Sequence, residues 1–270
     1  MQELQQNPPA STPDTERPAA GVSVQIPASQ PIVTYVLLAI LIIVFVAQLV
    51  ENQISDVGNP LVEAGIFSFD RILNGEYYRL FTSMFLHASV AHIFLNGIAL
   101  WSFGRSVEGF FGHTRFTLIY FLGGLFGGIL EFIFSRGLAL GASGAIFAIF
   151  GAEMVFLYRN RTLFGKRADQ QLRSLIILAL VNLGFGIYTQ FAPGSVRIGI
   201  ASHMGGFIAG AALAWFIAPR FELRADASVP PTYHIADTIT ESTTWLASGV
   251  VAVVILAIFL VSLTILRTAA

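Results

Sequence analysis

The chain has 270 residues, of which 55% are hydrophobic and only 11% are charged. Soluble domains carry roughly 25% charged residues, so this composition places the chain in the membrane class. A net charge of −1 gives no support to nucleic-acid binding, and the absence of cysteine excludes disulfides and thiolate metal sites.

The N-terminal segment differs from the rest of the chain. Residues 1–31 are rich in Pro, Gln, Ser, Thr and Glu and contain almost no large apolar side chains. We expect them to form a disordered cytoplasmic tail. Because the segment is slightly acidic and lacks the positive start of a signal peptide, the first apolar run should remain as a membrane anchor.

Seven stretches are long and apolar enough to cross a bilayer, which takes about 20 residues of helix. They are residues 32–50, 85–104, 114–134, 142–158, 173–191, 199–218 and 245–266. This pattern predicts an all-α polytopic membrane protein with a six-helix core over 32–218 and an additional C-terminal transmembrane helix over 245–266.

Two connecting segments are long. Residues 51–84 mix polar with aromatic side chains, which predicts a structured loop at the membrane interface. Residues 219–244 are polar and contain three prolines. We expect them to be a polar cytoplasmic linker that tethers a seventh helix standing apart from the core.

The basic residues predict the orientation of the bundle. With the N-terminus in the cytoplasm, ten of the fifteen Lys and Arg residues lie inside, and the densest cluster falls in residues 159–173. The positive-inside rule favours this topology. Spans two, four and six then run inwards from the outer face, and their unusual polar residues lie roughly 5–15 Å deep on that side.

A serine and a histidine near the starts of two of these spans suggest nucleophilic chemistry. Ser143 lies next to Gly144 in the fourth span, and His203 lies early in the sixth. Serine is a weak nucleophile unless a base is within hydrogen-bond reach. Small residues at four-residue spacing on both helices would allow close approach; they are Gly144, Ala148 and Ala152 on one helix and Ser202, Gly206, Gly210 and Ala214 on the other.

Such ridges are also common packing devices with no chemistry. A serine and a histidine flanking matched ridges at one depth nevertheless predict a Ser143–His203 dyad. No acidic residue is expected to complete a triad, because Glu131 and Glu153 should lie at other depths or on other helices. Phe147, one turn after Ser143, would either stack under the His203 ring or serve as a plain core or lipid-facing aromatic.

Acyl transfer also requires donors for the tetrahedral oxyanion. His92 and Asn96 are four residues apart, so they share one helix face, and both can donate hydrogen bonds. With the Ser143 backbone N–H they would form an oxyanion hole, although plain interhelical hydrogen bonding is an alternative. We expect His87 to be structural.

Other kinds of function require other residues. The His-Glu-x-x-His motif of zinc proteases is absent, and all six aspartates lie outside the predicted spans. A transition-metal site formed by His87, His92 and His203 stays open as an alternative. A transporter would show polar residues at mid-bilayer and inverted repeats, and neither is visible.

Taken together, the motifs resemble those of the rhomboid family of intramembrane serine proteases. The resemblance covers roughly residues 32–218. The matching pieces are Tyr78-Arg79, His87-x4-His92-x3-Asn96, Glu108-x3-Gly112, Gly141-x-Ser143-Gly144 and His203-x2-Gly206. Tyr78 stands where the family often has Trp, and Phe147 stands where bacterial members often have Tyr. The seventh span resembles the six-plus-one subgroup.

The resemblance implies roles for these residues. Ser143 would be the nucleophile, His203 the general base and acid, and His92, Asn96 and the Ser143 amide the oxyanion hole, without a metal or cofactor. Structural support would come from Arg79, His87, Glu108, Gly141, Gly144, Phe147, Gly206 and Gly210.

The resemblance also implies partners and a location. The substrates would be transmembrane segments of other proteins, cut near the outer face of a bacterial plasma membrane. They would enter between spans two and five, with Phe185 or Phe191 as a lateral gate. A non-catalytic relative that handles transmembrane clients is the alternative.

Overall fold

The computed structural model of the chain describes residues 28–54, 59–191, 199–225 and 233–269, so the predicted tail over 1–27 lies outside the described residues. Most described residues are helical. In chain order the elements are α1 (Ile32–Ile54), α2 (Pro60–Gly65), β1 (Phe67–Ser68), α3 (Phe69–Leu73), α4 (Arg79–Thr82), a 3-10 turn (Ser83–Phe85), α5 (Val90–Ala99), a π-helical segment (Leu100–Gly104), α6 (Arg105–Phe134), β2 (Leu138–Ala139), α7 (Ser143–Arg159), α8 (Arg161–Phe164), α9 (Lys166–Phe191), α10 (Ile200–Ile217), β3 (Phe221–Ala225), β4 (Tyr233–Asp237) and α11 (Glu241–Ala269).

Five helical stretches in the described ranges are long and apolar enough to cross a membrane. One of them, Val90–Phe134, joins α5 to α6. It contains Gly112, whose φ of 76° is a left-handed conformation that breaks the stretch into two arms. These two arms and α7, a largely buried helix of 17 residues, account for the remaining predicted spans.

Three helix starts differ from the predicted ones. α5 begins at Val90, so His87 lies before the helix rather than inside it, and Ser89 caps the helix by accepting a hydrogen bond from the His92 N–H. α9 begins at Lys166 and α11 at Glu241, both before the apolar run. Hydropathy marks only the apolar part of a helix, whereas hydrogen bonding continues into its polar first turns.

The centre of the bundle is formed by α6, α7 and α10. Small residues allow these helices to approach at backbone distance. A Cβ added to Gly206 would overlap the Gly144 carbonyl oxygen, and one added to Gly210 would overlap the Ala148 carbonyl oxygen. The two predicted ridges therefore face each other, which brings the starts of α7 and α10 together.

A buried carboxylate joins the start of α1 to α6. Glu108 is fully buried and accepts hydrogen bonds from the backbone N–H groups of Val33 (2.8 Å) and Thr34 (2.7 Å) and from the Thr34 hydroxyl (2.6 Å). His113 Nδ1 lies 2.6 Å from the same carboxylate. An anion at a helix N-terminus satisfies otherwise unpaired N–H donors.

The last four residues of the predicted tail, 28–31, are ordered. The Ser29 N–H donates to the Gly109 carbonyl oxygen at 2.7 Å, next to Glu108. A backbone hydrogen bond to α6 therefore holds the end of the predicted tail despite its polar composition.

The first loop is built around Arg79, whose side chain is only 1% exposed. Its Nη1 donates to the carbonyl oxygens of Glu63 and Ile66, both at 2.9 Å, and its Nε donates to Glu76 at 2.7 Å. The Tyr78 hydroxyl also donates to the Glu76 carboxylate. That hydrogen bond and the one from Arg79 lower the pKa of Glu76 below its ordinary value.

The predicted polar linker over 219–244 contains a β-hairpin that its composition does not indicate. Strands β3 and β4 pair antiparallel there, from Phe221 opposite Asp237 to Ala225 opposite Tyr233. Phe221 packs edge-on against Phe156 of α7, with ring centroids 5.9 Å apart. This contact depends on one aromatic side chain, Phe221, so the average composition of the polar segment does not predict it.

The prediction that the seventh helix stands apart from the six-helix core is wrong. α11 packs against α10 and α6 along one face. Its buried residues are Thr244, Ser248, Ile255, Phe259 and Leu263. Because they recur at helical spacing, they form one stripe, while the rest of the helix keeps the apolar surface expected of a membrane span.

Candidate active site

Ser143 and His203 meet where two helices begin. Ser143 is the first residue of α7, and His203 lies in the first turn of α10. The His203 Nε2 and Ser143 Oγ atoms are 2.7 Å apart. This is hydrogen-bond distance, which a base needs to take the proton from a serine nucleophile.

Phe147 orients the imidazole. Its ring stacks on the His203 ring with centroids 4.3 Å apart and an interplanar angle of 12°. Since Phe147 lies one turn after Ser143 on α7, the helix that carries the hydroxyl also supplies the surface under the histidine. Of the two alternatives for Phe147, the structure therefore has the stacked one.

The turn before Ser143 depends on Gly141. Its φ is +126°, a conformation that L side chains rarely adopt, and its N–H donates to the Ser83 carbonyl oxygen at 2.9 Å. A Cβ added there would lie 2.7 Å from Cε1 of the His92 imidazole. Glycine is needed both for the turn and for the space that His92 occupies.

His92 and Asn96 of α5 converge on this turn. The position of a Cβ on Gly141 lies 2.8 Å from His92 Nε2 and 3.6 Å from Asn96 Nδ2. Asn96 is 7% exposed, and its Nδ2 makes no hydrogen bond with any described residue. Buried donors are usually paired, so an unpaired amide beside the Ser143 turn is a group available to an acceptor on a ligand.

His87 lies behind His92, with ring centroids 5.1 Å apart. Its backbone is held by Gln48 of α1, which donates to the His87 carbonyl oxygen at 3.0 Å and accepts from the His87 N–H at 3.1 Å. Gln48 was not among the predicted residues. The signal that could have identified it is its type: a polar amide inside the very apolar first span.

Glu131 is the carboxylate that sequence reasoning placed elsewhere. It is 6% exposed, and its Oε2 accepts a hydrogen bond from the Ser202 N–H at 3.1 Å. It also lines a small cavity together with Ser143. The expectation that it lies away from the site is wrong, because the end of α6 lies against the start of α10, where Glu131 binds the Ser202 amide.

Glu153 lies in another part of the bundle, as expected. It is 2% exposed on α7 and accepts hydrogen bonds from the Ser106 hydroxyl at 2.8 Å and from Gln171 Nε2 at 2.7 Å. It therefore links α6, α7 and α9.

The three histidines considered as a metal site occupy different roles. His203 contacts Ser143, His92 contacts the Gly141 turn, and His87 is held behind His92. Over the described ranges, no three His, Cys, Asp or Glu side chains are grouped as metal ligands would be.

The order of these motifs agrees with a comparison against known families. Residues 74–220, more than half of the chain, match the family described as Rhomboid domain. Rhomboid protease GluP of Bacillus subtilis (strain 168) is 38% identical over 184 residues, which are 68% of this chain and 35% of that protein. The chain belongs to the rhomboid family.

Other rhomboid relatives match over similar lengths. RHOMBOID-like protein 9, chloroplastic, of Arabidopsis thaliana is 34% identical over 160 residues, covering 59% of this chain and 35% of that protein. Putative rhomboid protease YdcA of Bacillus subtilis (strain 168) is 30% identical over 155 residues, covering 57% of this chain and 73% of that protein. The chain thus spans about a third of the length of GluP and of the Arabidopsis protein.

The family and the apolar helices make this rhomboid an integral, all-helical polytopic membrane protein. Its predicted support residues occupy distinct places. Gly144, Gly206 and Gly210 form the contact between α7 and α10, whereas Arg79 and Glu108 hold the first loop and the start of α1.

The lateral gate expected at Phe185 or Phe191 stays a prediction. Phe185 and Phe191 are 57% and 82% exposed on α9. A cavity of about 230 Å³ lies between α7, α9 and α10 beside His203, and α9 contributes other side chains to it, among them Leu180 and Leu183. The second half of α9 therefore meets the site through these leucines.

Proposed function

We propose that this rhomboid is an intramembrane serine endopeptidase that cleaves transmembrane segments of other proteins near the outer leaflet, using a Ser143–His203 dyad. The observation that carries the proposal is the distance of 2.7 Å between His203 Nε2 and Ser143 Oγ. The family membership and the relatives named as rhomboid proteases support the same reaction class.

The geometry supports a two-step acyl transfer. Ser143 Oγ attacks the scissile carbonyl carbon while His203 Nε2 takes the hydroxyl proton, which it then gives to the leaving amine. Water, deprotonated by His203, then attacks the acyl carbon; the bond to Ser143 Oγ breaks, His203 returns the proton to that oxygen, and the carboxylate product leaves. No carboxylate of the described residues hydrogen-bonds the His203 imidazole, so stacking on Phe147 would supply its orientation.

Three donors would stabilise the oxyanion: the Ser143 backbone N–H, His92 and Asn96. The unpaired, buried Nδ2 of Asn96 supports this assignment, since a preorganised donor without a competing partner costs no reorganisation in the transition state. A helix in lipid satisfies its own backbone hydrogen bonds, so substrates must unwind locally before Ser143 reaches their carbonyl.

The test is cleavage of a model transmembrane substrate in liposomes. We expect Ser143→Ala and His203→Ala each to abolish cleavage, while the control Ser135→Ala, on a hydroxyl after the end of α6, leaves it unchanged. Retention of cleavage by Ser143→Ala would refute the dyad.

The alternative is a non-catalytic member that binds transmembrane clients. A fluorophosphonate probe separates the two functions, because it reacts only with an activated serine. Labelling of the wild type and Ser135→Ala, and its loss in Ser143→Ala, supports an enzyme. A wild type that captures the substrate but is neither labelled nor cleaves it supports the client-binding function instead.

A further inference from the structure

The seventh helix is fixed to the rest of the bundle at both of its ends. Near its start, Arg115 of α6 donates to Asp237 at 2.6 Å, to the Ile239 carbonyl oxygen at 2.8 Å and to the Thr244 hydroxyl at 3.1 Å. Its other end reaches the first loop, at the end of the bundle where Ser143 and His203 meet.

Apolar packing holds the C-terminal end of α11 against the first loop and α6. Phe259 of α11 lies 6.0 Å from the Phe132 ring of α6 and 5.4 Å from the Tyr77 ring of the first loop, measured between centroids. Ile255, Phe259 and Leu263 belong to one buried cluster, which they share with Phe67, Phe69, Ile72, Leu80, Ile129 and Phe132. The cluster therefore joins α11 to the first loop and to α6.

Arg267 continues the same stripe one turn beyond Leu263. Its Nε and Nη2 both donate to the Leu73 carbonyl oxygen, at 2.9 and 2.8 Å, and Nη2 also donates to the Tyr77 hydroxyl at 2.9 Å. Leu73 is the last residue of α3. A guanidinium suits this place because the last carbonyl groups of a helix lack partners and attract cations.

A short covalent and hydrogen-bonded path leads from Leu73 to the nucleophile. α3 starts directly after β1, and β1 pairs antiparallel with β2, Phe67 opposite Ala139 and Ser68 opposite Leu138. β2 precedes the Gly141 turn, whose N–H is bound by the carbonyl oxygen of Ser83, also in the first loop. Two backbone contacts from the first loop thus fix the segment that ends at Ser143.

We propose that Arg267 is a positioning residue for catalysis, through which the seventh helix holds α3 and the β1–β2 ribbon and thereby sets the turn before Ser143. The catalytic consequence rests on the proposed function. The structural consequence, a fixed β2 and Gly141 turn, does not. Arg267 acts at a distance from the reacting atoms, so it is not itself a catalytic residue.

The path is short, so a displacement at α3 should reach the segment that ends at Ser143. A misplacement of a reacting group by 1 Å costs about 100-fold in rate. Arg267 is itself exposed, so its removal leaves no cavity in the cluster around Phe259. Variants at this position should therefore fold, and their effect should come from the lost hydrogen bonds.

The experiment compares the full-length wild type with Arg267→Ala, Arg267→Lys and the control Thr268→Ala. Thr268 neighbours Arg267, and among the described residues its hydroxyl donates to the Thr264 and Ile265 carbonyl oxygens of its own helix. The first readout is hydrogen exchange of a peptide spanning residues 137–143. We expect faster exchange in Arg267→Ala, an intermediate rate in Arg267→Lys and the wild-type rate in Thr268→Ala.

The second readout is kinetic, well below the unfolding temperature. Arg267→Ala should lower kcat and the rate of fluorophosphonate labelling of Ser143 roughly 10- to 100-fold, with little change in KM and partial rescue in Arg267→Lys. Wild-type exchange in residues 137–143 of Arg267→Ala overturns the proposal, as does unchanged labelling. If the wild type itself is not labelled, the proposed function fails, and the exchange experiment still decides whether Arg267 holds the turn.

Discussion

At the scale of single residues, the site is defined by which polar atoms have partners and which do not. Ser143 and His203 satisfy each other, and the carboxylates of Glu108 and Glu131 are satisfied by backbone N–H groups. Asn96 Nδ2 is the buried donor next to the nucleophile that has no partner among the described residues. That contrast supports the proposal that Asn96 binds the oxyanion.

The first prediction concerns this donor. Asn96→Ala and His92→Ala should each lower kcat of substrate cleavage by about 10- to 1000-fold, because each removes one hydrogen bond to the oxyanion. The measurement is steady-state cleavage in liposomes. Leu95→Ala is the matched control, since Leu95 lies on α5 between these two residues, is 65% exposed and has no polar atom to bind the oxyanion. Unchanged rates in both variants would remove them from the oxyanion hole.

Residue type and spacing were enough to predict four of the side chains that lie close together here. Ser143 and His203 follow from two small-residue ridges, and His92 and Asn96 from an i, i+4 pair in an apolar run. Sequence reasoning placed Glu131 wrongly, since the contact with Ser202 depends on how α6 lies against the start of α10. Such a register between distant helices has no local signature.

At the scale of elements, contacts between residues far apart in sequence also explain why the hairpin and the docking of the seventh helix were not predicted. The hairpin of β3 and β4 and the docked α11 both depend on a few aromatic side chains, Phe221 and Phe259, that find partners far away in sequence. Composition averaged over a segment describes neither contact. The close approach of α7 and α10 could be predicted from the sequence because every residue of both ridges is small.

The second prediction tests that approach. Gly210→Ala should destabilise the bundle by about 1–3 kcal/mol, because a Cβ there overlaps the Ala148 carbonyl oxygen and the helices must separate. Cleavage should fall with it, since Ser143 and His203 are carried by the same two helices. Thermal unfolding in detergent measures the first effect.

Gly184→Ala is the matched control for that change. Gly184 lies in α9, and nothing is within 4 Å of the position of its Cβ, so this variant should match or slightly exceed the wild-type unfolding temperature. Equal stability of Gly210→Ala and Gly184→Ala would mean that the contact between α7 and α10 is looser than the distances imply.

At the scale of the whole molecule, the contacts sort the connecting segments into two ends. The first loop, the Gly141 turn, the start of α10 and Arg267 lie at one end with Ser143. Glu108, His113 and the hairpin residue Asp237, which binds Arg115, lie at the other. Together with the charge distribution, this arrangement predicts that the end that carries Ser143 faces outwards.

The third prediction tests that orientation, and the natural absence of cysteine makes the test clean. Single substitutions Asn74→Cys, at an exposed position of the first loop with an ordinary negative φ, and Thr238→Cys after the hairpin place one thiol at each end. In intact bacterial cells a membrane-impermeant maleimide should label Asn74→Cys and leave Thr238→Cys unlabelled until the membrane is permeabilised, because the basic end is expected to lie inside. Both variants should retain cleavage, which shows that they are folded. Labelling of Thr238→Cys in intact cells, with protection of Asn74→Cys, would invert the bundle and move cleavage to the cytoplasmic leaflet.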